Sequence, residues 1–260
     1  MSEISMGSGL PPHSEAAWLA AVETALRGKP FDSLTTQGVD GIIRQPLYTD
    51  ATHQTTDASA GLPGFAPFTR GAHAVADKYL PWQIAQRVVI GRGGADNQHI
   101  MTDLAGGGSA LLLDFSGKKS VTTDELDVLL DGVMLDIAPV VLAPAACGVG
   151  GILAFIDLLA RRHGDDNALR AYLNFDPFGR ALSTDQPVST DGLEALLARA
   201  AQQPGFSLMT ASGAAFHNEG AAPIDELAYM LGALTENLRA LESHGLAPED
   251  ALPRIPLTLS

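Results

Sequence analysis

Ala138-Pro139-Val140-Val141-Leu142-Ala143, then Gly148-x-Gly150-Gly151, then Ile152-Leu153-Ala154-Phe155-Ile156-Asp157-Leu158-Leu159 make a short aliphatic run, a glycine cluster and a segment with a broad apolar face. An aliphatic run of this kind is how a parallel strand covered on both faces reads, and the segment after it reads as the helix that covers it. The same alternation extends outward in both directions. It predicts strands near Ala110–Phe115, Ala138–Ala143, Ala171–Phe175, Phe206–Thr210 and Ile255–Leu259, with a short one at Ser120–Thr123. Helices are predicted at Gly151–Arg162 and at Leu193–Ala201, the latter behind the capping region Ser189-Thr190-Asp191. A third runs through Leu227, Met230, Leu231, Leu234, Leu238 and Leu241 and stops at Gly245. Alternating strands and helices imply an α/β fold with a parallel sheet, either a barrel or an open doubly wound sheet, and the pattern alone does not choose. About six strands would be two short of a closed eight-stranded barrel.

Ahead of Asn97 the pattern is different. A first helix is predicted after the capping Ser14, with Trp18, Leu19, Val22 and Leu26 on one face and Gly28 as its stop. From Phe31 to Pro81 the chain is rich in Thr, Gly, Pro and Asp without a sustained period, and reads as a long extended arm. Such a stretch fits a compact monomer poorly and fits wrapping around another subunit well. The expected organisation is residues 1–96 as helix and arm, and 97–260 as an incomplete (β/α) barrel.

Composition bounds the function. The 260 residues are 46% hydrophobic and carry a net charge of −14, which repels nucleic acid and anionic membrane surfaces. A single cysteine, Cys147, rules out an internal disulfide and fits a reducing compartment, so a cytoplasmic location is expected. Its alanine and glycine neighbours suit a small buried filler. No signal peptide is apparent, and the apolar stretch from Val133 to Ile156 is broken by Asp136, Pro139 and Pro144, so no membrane span is expected.

The N-terminal region contains Trp18, Leu26-x-Gly28, Phe31-Asp32-x-Leu34, Thr36-x-Gly38 and Gly41-Ile42-x-x-x-Pro46-Leu47-Tyr48-Thr49. Then come Pro63-Gly64, Pro67-Phe68-x-Arg70-Gly71 and Pro81-Trp82-x-Ile84-x-Gln86. In that order and spacing they resemble the opening of the methylmalonyl-CoA mutase family. Ser212-Gly213, Gly220-Ala221 and Asp225-Glu226-Leu227-Ala228-Tyr229 resemble the segment after that family's fifth barrel strand, so the resemblance spans nearly the whole chain. It implies a subunit-wrapping arm and a (β/α)8 TIM-type barrel, here incomplete, in which acyl-CoA lies along the axis. Adenosylcobalamin is held by a separate domain in the family's catalytic chains. The reaction is a radical carbon-skeleton isomerisation in which the cofactor carries the difficult chemistry.

Where catalytic members have Pro-Trp-x-Ile-Arg-Gln-Tyr, this chain has Pro81-Trp82-Gln83-Ile84-Ala85-Gln86-Arg87. The family's arginine is Ala85, and its substrate-touching tyrosine is Arg87. A guanidinium there needs a carboxylate partner, so a structural ion pair is expected. Where catalytic members have Ser-Gly-Tyr-His, whose histidine bonds the thioester carbonyl, this chain has Ser212-Gly213-Ala214-Ala215 and no donor. His217 lies two positions on, where a strand would aim it like Ala215, yet it reads as a structural histidine. The loop from Asp114 to Lys119 is short, and Leu173-x-x-Asp176-Pro177-Phe178-Gly179 looks like a feature of small subunits. The resemblance therefore implies the small, non-catalytic subunit type.

None of the seven histidines lies in the Asp-x-His-x-x-Gly run of a cobalamin module. No cobalamin-binding domain, and no cofactor or metal bound by this chain alone, is expected. His163 and His244 sit at predicted helix ends, where cations are favourable. Gly91-x-Gly93-Gly94, Gly106-Gly107-Gly108 and Gly148-x-Gly150-Gly151 could cradle a phosphate but read better as turns. Asp124, Glu125, Asp127, Asp131 and Asp136 read as a solvated helical face and not a cation site.

Three functions compete. The first is a structural partner of a catalytic large subunit, forming a heterodimer. Another is an active acyl-CoA mutase component using Arg87 and His217 with cobalamin from another chain, alone or self-associated. The last is a free-standing acyl-CoA-binding module.

Overall fold

The computed structural model describes residues 13–49, 61–75, 82–91, 97–116, 118, 120–144, 148–164 and 169–260. The chain divides into two compact units, Met1–Ala74 and Val75–Ser260. In the first, α1 spans Glu15–Leu26 with Ser14 as cap, its hydroxyl accepting from the Ala17 amide at 3.2 Å. Arg27 turns left-handed at φ 50° and Gly28 follows at φ 88°, which ends the helix as expected. No residue of α1 is buried. Trp18 meets Phe31 edge to face, the ring centroids 6.2 Å apart. A one-turn 3₁₀ helix at Phe31–Leu34 leads into a small antiparallel hairpin of β1 (Thr36–Gln37) and β2 (Ile43–Arg44). Beyond these the described part of the arm consists of turns and irregular segments.

The second unit is built on five parallel strands: β3 (Ala85–Val89), β4 (Ala110–Asp114), β5 (Val140–Leu142), β6 (Ala171–Phe175) and β7 (Phe206–Met209). They lie side by side in chain order, with no reversal. Between them come α2 (Asn97–Ala105), α3 (Thr123–Leu129), α4 (Val149–His163), α5 (Pro177–Thr184) and α6 (Leu193–Ala200). After β7 the chain changes neighbour. The Thr210 amide still bonds the Phe175 carbonyl, whereas the Ala211 amide bonds that of Pro256. Thus β8 (Ala211–Ser212) runs parallel to β9 (Leu257–Thr258), a further strand beside the fifth. The connection consists of α7 (Ala214–Asn218), the long α8 (Pro223–Ser243) and α9 (Pro248–Ala251).

Two expectations are corrected. Ser120–Thr123 is not a strand: Thr122 caps α3 in a reciprocal capping box with Glu125. Conversely, Ala85–Val89, within the stretch read as arm, is a strand of the sheet. It is an edge strand whose first three residues are exposed, so its sequence lacks the aliphatic run that marks its neighbours. Register places Leu111, Val140, Ala171 and Phe206 in one lateral row, all nearly inaccessible. Among the described residues this row belongs to a large core, with Ile100, Leu126, Ile152, Phe155, Leu158 and Leu196 of the helices.

Candidate functional site

Side chains alternate across a strand, so laterally paired residues share a face. The adjoining row, Arg87, Leu112, Val141, Tyr172 and Ser207, therefore faces away from the buried row, and only Ser207 in it is fully covered. This face carries Arg87 and Asp114, while Gln86 lies on the other. Both Nε and Nη2 of Arg87 donate to Oδ2 of Asp114, at 3.0 and 2.5 Å, and the Ser116 amide donates to Oδ1 at 2.8 Å. The Asp114 side chain is 1% exposed and that of Arg87 64%. Burial works to raise the Asp114 carboxyl, but the guanidinium and the Ser116 amide outweigh it and hold it below the ordinary carboxylate range. Farther along, Asn174 adopts φ 50° at an irregularity in β6 and donates to the Leu142 carbonyl at 3.0 Å.

Ala85 begins β3, two positions before Arg87 and on its face. Ala215 and His217 lie on α7, and this corrects the strand geometry that would aim them alike, because residues two apart on a helix point to opposite sides. His217 instead places Nδ1 3.3 Å from Oε2 of Glu226 on α8. Glu226 is 5% exposed, and its Oε1 accepts from the amide and hydroxyl of Ser260, each at 2.9 Å. The Ser260 amide is the main reason its carboxyl lies below the ordinary range, against the opposing effect of burial.

Of the arm motif, Tyr48 accepts from the Gln45 amide at 3.0 Å. Pro63, Gly64, Pro67, Phe68, Arg70 and Gly71 form a tight turn closed by the Gly64 amide on the Gly71 carbonyl. Gly64 is fixed by sterics, since a Cβ there would lie 2.4 Å from the Ala74 nitrogen. Trp82 is 72% exposed, and Pro81 lies outside the described residues, as does Cys147. Asp124 and Asp127 pair with Arg161 and Arg162 of α4 at 2.6 to 3.0 Å, so these acids are tied across two helices. No group of three metal-ligating side chains occurs among the described residues. Gly148 is the N-cap of α4 and borders a cleft of about 640 Å³ shared with Phe175, Pro177 and Arg180. At the end of α8, His244 Nδ1 lies 2.8 Å from the Ala240 carbonyl.

One residue escapes the sequence reading as a site. Asp176, at the C-terminal end of β6, is 4% exposed, and burial pushes its carboxyl up to about 6 although the Gly179 and Phe178 amides oppose this. Asp-Pro marks a helix start, which is how α5 begins, but nothing in that signal reports burial.

The fold and this face define an α/β protein with parallel strands in chain order, whose best-placed charges are closed on each other. The sequence model of the methylmalonyl-CoA mutase family matches residues 37–125. Over 97% of its length the chain is 30% identical to the methylmalonyl-CoA mutase small subunit of Streptomyces virginiae, covering 42% of that protein. It is 34% identical over 89% of its length to the probable small subunit of Mycobacterium tuberculosis strain H37Rv, covering 37% of it. To the methylmalonyl-CoA mutase of Escherichia coli K12 it is 26% identical over 91% of its length. Over most of its length the chain is thus similar to members of the methylmalonyl-CoA mutase family. It spans about two fifths of the length of these relatives. Among the described residues no helix is long and apolar enough to cross a membrane.

Proposed function

We propose that the chain acts as the small, non-catalytic subunit, or part of it, of an adenosylcobalamin-dependent acyl-CoA isomerase in the cytoplasm, supporting a catalytic large subunit in a heterodimer. The observation that carries this reading is the arm. Its turns are kept, yet Val39, Ile42, Ile43, Tyr48, Leu62, Phe65 and Phe68 are each more than half exposed. Apolar groups displayed together in this way mark a surface that a partner covers. Strands in strict chain order favour a barrel as the parent fold, because a doubly wound sheet reverses its order at a switch point.

The residues present do not fit cobalamin: the sequence has no Asp-x-His-x-x-Gly. Arg87 held by Asp114 and His217 by Glu226 also favour a supporting role over the reading in which both act on acyl-CoA, which would require each to leave its partner. Gel filtration of the chain mixed at micromolar concentration with a methylmalonyl-CoA mutase large subunit tests the proposal. Co-elution is expected, weakened roughly tenfold by Ile43→Ala with Phe65→Ala. Separate elution of the unmodified chains overturns it.

A further inference from the structure

Pro177 has no N–H to give, so the first free donors of α5 are the amides of Phe178 and Gly179, and both turn to the carboxyl of Asp176. The Gly179 amide meets Oδ1 at 2.8 Å. Oδ2 is buried with no hydrogen-bond partner. It lies against the backbone of Gly179, where a Cβ would come within 2.1 Å of it, so only glycine lets that oxygen rest there. A carboxylate in this position has one oxygen served and the other stripped of water, which is costly, whereas a carboxylic acid has no charge to solvate.

We propose that the proton on Asp176 is a conformational switch. Protonated, the residue holds the first turn of α5 closed. Ionised, it drives that turn outward so that Oδ2 can find a donor. The turn is a wall of the 640 Å³ cleft through Pro177, Arg180 and Ala181, so its movement carries the Arg180 guanidinium with it.

The surrounding groups allow this. On its own helix the nearest charge is Arg180, which is exposed and faces the cleft. On α7, which packs against α5, His217 is already engaged by Glu226 and Glu219 is exposed. On α8, Tyr229 senses Asp176: burial first, and then this carboxyl, raise its hydroxyl. No described cation neutralises the ionised form. The sign follows. The folded carboxyl, at about 6 against an ordinary 3.8, binds its proton more tightly than the unfolded one, so order at α5 is greatest below about pH 4 and is lost as pH rises through about 6.

Hydrogen exchange of the whole chain at pH 5 and pH 8, corrected for intrinsic rates, reads this directly. Protection of the Gly179–Ser183 amides is expected to fall about tenfold between the two and to stay level in Asp176→Asn. Equal protection at both pH values, or an equal fall in Asp176→Asn, overturns the switch. Should Asp176→Asn not fold, the carboxyl carbon of Asp176 in the unmodified chain is titrated by NMR. A midpoint near 6 supports the proposal, and one below about 4.5 overturns it.

Discussion

Removing Arg87 leaves Asp114, 1% exposed, with only the amide and hydroxyl of Ser116 among the described residues to balance its charge. Breaking a fully buried ion pair from one side costs about 3–5 kcal/mol. The Arg87 side chain is 64% exposed, so water takes over part of its task, and the cost drops to about 1–2 kcal/mol. In a unit of this size that is roughly 5 °C in Tm. Asp114→Asn keeps the acceptor and frees an arginine already mostly in water, at about 0.5–1 kcal/mol. In the double variant the stranded charge is gone, so the two losses should fall short of additive by roughly 1 kcal/mol.

The pH dependence has a definite sign. Asp114 is held below its ordinary range, so the stability it confers is present above about pH 4 and disappears as pH falls through its lowered folded value. Arg87→Ala should therefore differ most from the unmodified chain at neutral pH and converge with it in acid. Urea midpoints for the four proteins at pH 7 and pH 3 supply the cycle. Losses that add to within about 0.3 kcal/mol, or a gap that persists unchanged in acid, would refute the reasoning. Arg87→Tyr should cost at least as much as Arg87→Ala, because Asp114 is stranded either way.

Arg254 donates to the carbonyls of Phe206, Ala201, Ala200 and Gln203 at 2.7–2.9 Å, and so caps the end of α6 with no carboxylate involved. Arg254→Lys keeps the charge but cannot reach four acceptors; about 2 kcal/mol should be lost in denaturant unfolding, equally at low and high salt, and a loss abolished by salt would contradict this. A Cβ on Gly205 would lie 2.0 Å from the Leu169 carbonyl oxygen, so Gly205→Ala must push two strand entrances apart. A fall of about 2 kcal/mol is expected by thermal unfolding, and an unchanged Tm would show that the backbone yields freely.

How much of this was legible depended on what each element buries. Parallel strands covered on both faces give themselves away as aliphatic runs, so β4 to β7 were readable. The leucine spacing of α8 and the Ser14 cap of α1 were equally plain. Strand β3 was not, because as an edge it displays Ala85, Gln86 and Arg87 to solvent and reads as polar. The geometry of His217 failed for a local reason: Ala214 and Ala215 after Gly213 start a short helix where strand spacing was assumed. At the sheet face, the need of Arg87 for a carboxylate followed from its chemistry, but Asp114, 27 positions away, could be named only once register was known. Burial of Asp176 arises from its surroundings in space, which no local spacing encodes.

The chain-order arrangement of the sheet bears on how the molecule comes into being. Each strand from β4 to β7 lies beside the one made just before it, roughly 30 residues earlier. A nascent chain leaving the ribosome would always find its template already laid down, and no strand need wait for a distant segment to be synthesised before it can add to the growing edge.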